Sequence, residues 1–476
     1  MIVLVIDVGS SSVRVTALDE SLGVRESASS PYPTQRSGTT TVTFDPAKLA
    51  ELVVGLTRRV HGLLDPREVK GIALTNQRAS AVLFTLCGPT ALGLGLSWED
   101  LRTAPQCLAL SQKGFPSAPN ESATKYVTLL ASTSNPDARV GTLDTWLAAV
   151  LTEGTCFGTD VTNAAVTGLT DTTGTRYDPE ICGVLGLDPA RLAPIVTPFL
   201  PRGSVNLNGS LVPLLVTIGD QQASLIGQGG LIDSRVKITL GTSAVADTNT
   251  HKHTPTFARR GPCGTFPIVV DATEDGPIFG LEAFGVTSGS LLTWLTEIKV
   301  LPSPTGADHL ARTAKRAATP LLIPAQGGLG APHWDFGART IISGITDTTG
   351  QAEMALAALE GIAFLAADLV RSLWSDAGLA PGPLYLDGKV GQASLVLERL
   401  SGALGVPIAV SSSSEATTRG AGLLALTGLG HTPHIPDPRI VDGTKDRALA
   451  QELFASWQSL LPRARGAIPA LSAVAF

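Results

Sequence analysis

Cysteine is scarce and unpatterned in this 476-residue chain. The five, Cys87, Cys107, Cys156, Cys182 and Cys263, include no CxxC pair and stand beside no histidine cluster, which excludes a disulfide framework and a zinc site and leaves free thiols of a reducing compartment. Basic runs are missing as well. The 35 Lys and Arg against 41 Asp and Glu give a net charge of −6, without the clustered cations that nucleic acid requires. No stretch approaches about 18 uninterrupted apolar residues, and no charged-then-apolar leader precedes the first apolar run. A soluble cytoplasmic protein with neither a nucleic-acid nor a membrane partner is the expectation. One hydrophobic core is too little for this length, so two or three domains are expected.

What is present begins at "VLVIDVGSSSVRVTALD", residues 3 to 19. The apolar runs at 2–6 and 13–18 read as strands, with Gly9, Ser10, Ser11 and Ser12 as the turn between them. Backbone N–H groups and hydroxyls converging in such a turn make an anion cradle, and Asp7 at the strand end can hold a metal or its water shell. The alternative is an ordinary solvated turn with an incidental acid. Further strands are expected at 69–75, 81–86, 211–218 and 236–240, and helices at 46–64 and 143–151, so the class is α/β. Near residue 230 the pattern restarts. "VKITLGTSAVADTN" is again strand, small-residue turn and strand, with Gly241, Thr242 and Ser243 where Gly9, Ser10 and Ser11 stood, as an internal duplication would leave it. Residues 352–373 carry apolar side chains three or four apart, which predicts a long helix packed on a sheet.

Three segments carry chemistry. In "TIGDQQASLIGQGG", residues 217–230, Gly219 turns the chain so that Asp220 and Gln221 emerge at a strand's C-terminal edge, where open α/β sheets bind ligands. An Asp there either accepts a proton from a substrate hydroxyl or caps a helix. "TNQRAS" and "SWEDLRT" place Arg78 and Trp98 where a guanidinium and an indole suit a polyhydroxyl ligand, a surface ion pair and a core aromatic being the plain readings. "GGLGAPHWDFGAR", residues 327–339, is a Gly-rich loop with neither a P-loop nor GxGxxG.

In collinear order "DVGSSSVR", "TNQR", "SWEDLRT", "GDQQASLIGQ", "KITLGTS", "LEAFGVTSGSLLTWL", "IPAQGGLGAPHWDFGAR", "ALEGIAF" and "LYLDG" make the chain resemble the FGGY family of carbohydrate kinases, from residue 2 to about residue 430. Within that family the glycerol kinases are the most similar branch. The resemblance implies two actin/Hsp70-like (ribonuclease H-like) domains with an interdomain cleft, residues 1–230 and 231–476. The first domain is expected to bind the acceptor and carry the base, and the second to bind nucleotide. ATP and Mg2+ are the expected cofactors, a small polyol or sugar the partner, and a homodimer is among the assemblies allowed. Asp220 would be the catalytic base. Arg78, Ala79, Trp98, Asn120, Asp220 and Gln221 would line the acceptor pocket. Ser10, Ser11, Ser12, Arg14, Gly241, Thr242, Gly328, Gly388 and Lys389 would meet ATP or its phosphates, and Asp7 the metal.

Departures from the family pattern fall in the acceptor pocket. Ala79 stands where an acid follows the arginine, Asn120 where a tyrosine is usual, and Val245 where an aromatic follows the second hairpin. By resemblance glycerol is the first acceptor to expect, but these departures predict a roomier pocket with a less neutralised Arg78 that uses glycerol poorly, and a four- or five-carbon polyol or ketose such as erythritol or xylulose is the close rival. Lys389 replaces a glycine and either pairs with a phosphate or obstructs the nucleotide; in the second case a binding regulator that keeps the cleft is the competing reading.

Overall fold

The computed structural model describes residues 1–476 apart from 39, 116, 197–202, 258, 274, 412–414, 444–445 and 473–476. Six strands, β1 (Ile2–Val8), β2 (Ser12–Asp19), β3 (Val24–Pro31), β4 (Val69–Asn76), β5 (Ser204–Leu207) and β6 (Ser210–Gly219), form one sheet in the order β5-β6-β4-β1-β2-β3. β1, β2 and β3 run antiparallel in succession, while β4 and β6 add parallel to β1. β1 is buried at every position except Asp7, as befits a central strand covered on both faces.

The second sheet holds β7 (Val236–Leu240), β8 (Ala244–His251), β9 (Phe266–Thr273), β10 (Gly276–Gly285), β11 (Leu384–Asp387), β12 (Ile408–Val410) and β13 (Arg439–Val441), in the order β9-β10-β8-β7-β11-β12-β13. Here too a hairpin, β7–β8, is extended by an antiparallel strand, β10, and on its other side by two parallel strands, β11 and β12. Both halves therefore share one plan, as the paired hairpins in the sequence imply.

Helix α1 (Pro46–His61) starts where Asp45 accepts hydrogen bonds from the Ala47 and Lys48 N–H groups, and it lays Leu49, Val53, Leu56 and Val60 on the first sheet. Helix α2 (Asp220–Gly227) leaves the end of β6 directly. The long apolar helix α3 (Gln351–Ala377) fills the core of the second half and stops at Gly378, whose φ of 64° is the left-handed conformation that ends helices. Helix α4 (Ala416–Gly428) comes from the second half yet packs on the first. Its Ala421, Leu424 and Ala425 share a core with Val3 and Val5 of β1, Ala73 of β4 and Ile268 and Val270 of β9.

α2 and α4 cross almost backbone to backbone. A Cβ on Gly227 would lie 2.0 Å from the Ala416 carbonyl oxygen, and one on Gly420 would lie 1.8 Å from that of Ala223, so only glycine fits at either place. Among the described residues no helix is long and apolar enough to cross a membrane.

The joint between the halves contains a buried acid. Asp271 on β9 is 1% exposed; burial pushes its carboxyl up to about 7, the Ala272 N–H bond opposes this, and the charge of Asp160 from the first half adds to it. Folding thus favours the protonated form. Stability from this group is full below the ordinary carboxylate value of 3.8 and is lost as pH rises from there to about 7. Asp271→Asn is expected to raise the melting temperature at pH 8, by the equivalent of about 1 to 4 kcal/mol, with the gap closing toward pH 4. A gap independent of pH would show that Asp271 does not titrate in this range.

Candidate active site

Parallel register brings the predicted residues to one edge. Asp7 of β1 is level with Thr75 of β4, which is level with Ile218 of β6, so Asp7, Arg78 and Asp220 leave three neighbouring strands at the same C-terminal end. The hairpin turn lies beside them, closed by the Gly9 N–H on the Ser12 carbonyl at 3.0 Å. Asp7 and Arg14 face each other across β1 and β2. Burial, reinforced by the charge of Asp220, pushes the Asp7 carboxyl up to about 7 against the opposing pull of Arg14. The Arg14 guanidinium meets Glu415, the residue before α4, and so bridges the two halves.

Asp220 opens α2, and its carboxylate accepts from the Gln221 N–H at 2.8 Å. Burial raises its pKa, while Arg78, with Nε 3.7 Å from Oδ1, pulls it down. The Arg78 guanidinium also donates to Glu282 of β10 at 2.9 Å to Oε1, and its Nη2 lies 2.7 Å from Oε2. This corrects one expectation. Ala79 leaves Arg78 without an acid from its own strand end, but Glu282 neutralises it from the other half. Ala79 itself has a φ of 61°, and its carbonyl accepts from the Ser122 hydroxyl, so its place in the loop is set by backbone.

Trp98 is half-buried, with its indole Nε1 donating to Ser10 Oγ at 3.1 Å and its carbonyl accepting from the buried Lys125 ammonium at 3.4 Å. Trp98 and the first hairpin turn are thereby joined. Burial pulls the Lys125 ammonium down to about 7. Asn120 sits half-buried in the turn before the helix Ala123–Leu130.

The second hairpin turn belongs to the other half, between β7 and β8. The carbonyls of Gly241 and Thr242 accept from Gly289 and from Ser288 and Ser290, so the start of the helix Gly289–Glu297 fixes the turn while the Thr242 side chain stays exposed. Gly388, at a φ of 92°, is pressed on this hairpin: a Cβ there would lie 2.4 Å from the Leu240 carbonyl oxygen. Lys389 follows, exposed, at the start of a 3-10 turn. Gly328, at a φ of 99°, lies against Phe336 within its own loop.

Four residues to which the sequence reading gave no role complete the site. Lys237 is fully buried. Its ammonium lies 2.6 Å from Asp247 Oδ2 and donates to Gln221 Oε1 at 3.0 Å and to Thr239 Oγ1 at 3.1 Å. With its oxygen taken, the Gln221 amide is left to offer N–H donors. Asp247 is opposite both Lys237 on β7 and Glu282 on β10, and Phe284 of β10 sets its ring against Trp98. A Lys and an Asp inside two paired apolar strands were the available signal, since buried charges need partners.

Two sheets of one duplicated plan, joined where α2 crosses α4 and where Arg78 and Trp98 meet Glu282 and Phe284, define the actin and Hsp70 class of α/β proteins. The chain belongs to the FGGY family of carbohydrate kinases: the family's N-terminal domain matches residues 2–227 and its C-terminal domain residues 236–429. It is 33% identical to a glycerol kinase of Thermus brockianus over 84% of this chain and 85% of that one, and 28% identical to one of Gloeobacter violaceus over 97% of both. The crystal structure of Plasmodium falciparum glycerol kinase with ADP superposes with a TM-score of 0.87 at 25% identity, covering 97% of this chain and 98% of that one. The protein is therefore a phosphotransferase with an alcohol group as acceptor.

Proposed function

We propose that the chain transfers the γ-phosphoryl group of ATP to a primary hydroxyl of a small polyol, with Asp220 as general base. The observation that carries this reading is the position of Asp220. It stands at the strand edge level with Asp7 and the first hairpin, with burial raising its pKa and Arg78 beside it. A base tuned upward toward neutrality suits proton removal from an alcohol as phosphorus is attacked. Arg78 and the Gln221 amide supply donors for the remaining hydroxyls. In this reading residues 1–230 carry the acceptor, the base and the first phosphate turn, and residues 231–476 the nucleotide.

ATP enters as its magnesium complex. Magnesium is held by one or two carboxylates together with phosphate oxygens and water, and the half-buried Asp7 beside the first hairpin suits that donor set. When bound, the ion neutralises charge on the phosphates. Ser10, Ser11, Ser12 and Arg14 would hold the phosphates from one side and Gly241 and Thr242 from the other, with Gly328 and Gly388 keeping loops close to the nucleotide. Exchange of Arg14 from Glu415 to phosphate would couple nucleotide entry to the joint between the halves.

A coupled assay of ADP release with glycerol, erythritol, xylitol and xylulose tests the reading; turnover with none of them overturns it. Lys389 can be tested separately. Its exposed ammonium follows the glycine that abuts the second hairpin, and pairing with phosphate is expected. Lys389→Gly should weaken ATP binding by roughly 1 to 3 kcal/mol in calorimetry, the loss for one charge-assisted hydrogen bond. Tighter binding would mean that the side chain obstructs the nucleotide.

A further inference from the structure

Strand β10 carries two side chains into the first half of the molecule. Glu282 and Phe284 are two residues apart and so share one face of the strand. Glu282 reaches Arg78, and Phe284 reaches Trp98 with ring centroids 6.1 Å apart and planes at 89°. From Phe279 to Gly285 every residue of β10 is buried except Phe284, which is half-exposed where the cleft opens. Directly across the ladder stands Val245, the short side chain at the position where the sequence pattern leads one to expect an aromatic.

Those observations belong together. In an antiparallel pair, opposed side chains stand about 4.5 to 5.5 Å apart at Cβ, so a ring carried by either residue can cover much the same space. Val245 is the smaller side chain and carries no ring. The Trp98 indole is tethered by the hydrogen bond that its Nε1–H donates to Ser10 Oγ. An edge-to-face pair held in this way presents an apolar corner beside the Arg78 guanidinium.

We infer that Phe284 is a specificity-determining residue of the acceptor site, replacing from β10 the aromatic surface that Val245 of β8 does not provide. With Trp98 it forms the wall for the carbon chain of the acceptor, while Arg78 and Gln221 take hydroxyls. Glu282 holds Arg78 in register with that wall. Because one strand of the second half carries both residues, the acceptor site is complete only with the halves together. This inference rests on the kinase reading of the cleft.

The test uses the full chain and the acceptor that wild type turns over best. Phe284→Ala is expected to raise the acceptor KM about tenfold or more while the KM for ATP stays within about twofold, the scale for losing an apolar pocket surface. Phe284→Ala combined with Val245→Phe, which returns the ring from the neighbouring strand, should recover most of that loss. Melting temperatures establish that each variant is folded, and Phe284→Leu, which keeps apolar bulk without a ring, replaces Phe284→Ala if the latter is not. An acceptor KM unchanged in the folded Phe284 variant, or no recovery in the double variant, overturns the inference while leaving the kinase reading intact. Wild type inactive on every acceptor overturns the kinase reading and this inference with it.

Discussion

Asp220→Asn is expected to lower kcat by about two to four orders of magnitude while the protein folds and binds its acceptor much as wild type does, the usual consequence of removing a positioned base. Asn keeps the shape and can still accept the Gln221 N–H, so the helix start survives. It cannot take a proton. Burial raises the Asp220 pKa, so the acid limb of the wild-type rate profile should lie above the ordinary carboxylate range, and the variant should lack that limb. Single-turnover measurement with saturating ATP and acceptor isolates the chemical step from product release. An Asn variant within tenfold of wild type would remove Asp220 from the base role, whichever polyol is used.

Lys237→Met should cost about 3 to 5 kcal/mol of stability, the penalty for leaving a buried charge without its partner. Both Lys237 and Asp247 are fully buried, and Asp247 would then be stranded near Glu282 and Asp220 with only Arg78 to offset three acids. Burial already pushes the Glu282 carboxyl up, with Asp247 adding to it and Arg78 opposing, so this cluster has little tolerance for further negative charge. Lys237→Met with Asp247→Leu should regain most of the loss, because an apolar pair of similar volume needs no counter-charge. Chemical denaturation of the four proteins yields the coupling between the two residues. A single variant as stable as wild type would mean that the pair carries no net stabilisation. In either variant Gln221 loses the ammonium that fixes its amide, so the acceptor KM should rise even after stability is regained.

How much was legible in advance follows from the range of each signal. The two hairpins, the strand edge at Asp220 and the helices after Asp45 and before Gly378 are local: apolar runs, a glycine at a turn, a cap. They could be read without knowing what lies across the cleft. The predicted strand at 236–240 and helix at 143–151 have those bounds in the structure. Glu282 and Phe284 gave no such sign. One acid and one aromatic in "GLEAFG" are unremarkable until β10 is paired with β8 and the second half is set against Arg78 and Trp98. The same limit explains the error over Arg78. Ala79 supplies no acid, but the expectation of a less neutralised guanidinium assumes that the partner must come from the same loop.

At the crossing of α2 and α4 two backbones pass so closely that neither leaves space for a single methyl group. A methyl group at Gly420 would meet the Ala223 carbonyl oxygen, part α4 from α2 and loosen the core that α4 shares with β1, β4 and β9. Because α2 begins at Asp220 and Glu415, the partner of Arg14, immediately precedes α4, that displacement would reach the candidate site from both sides.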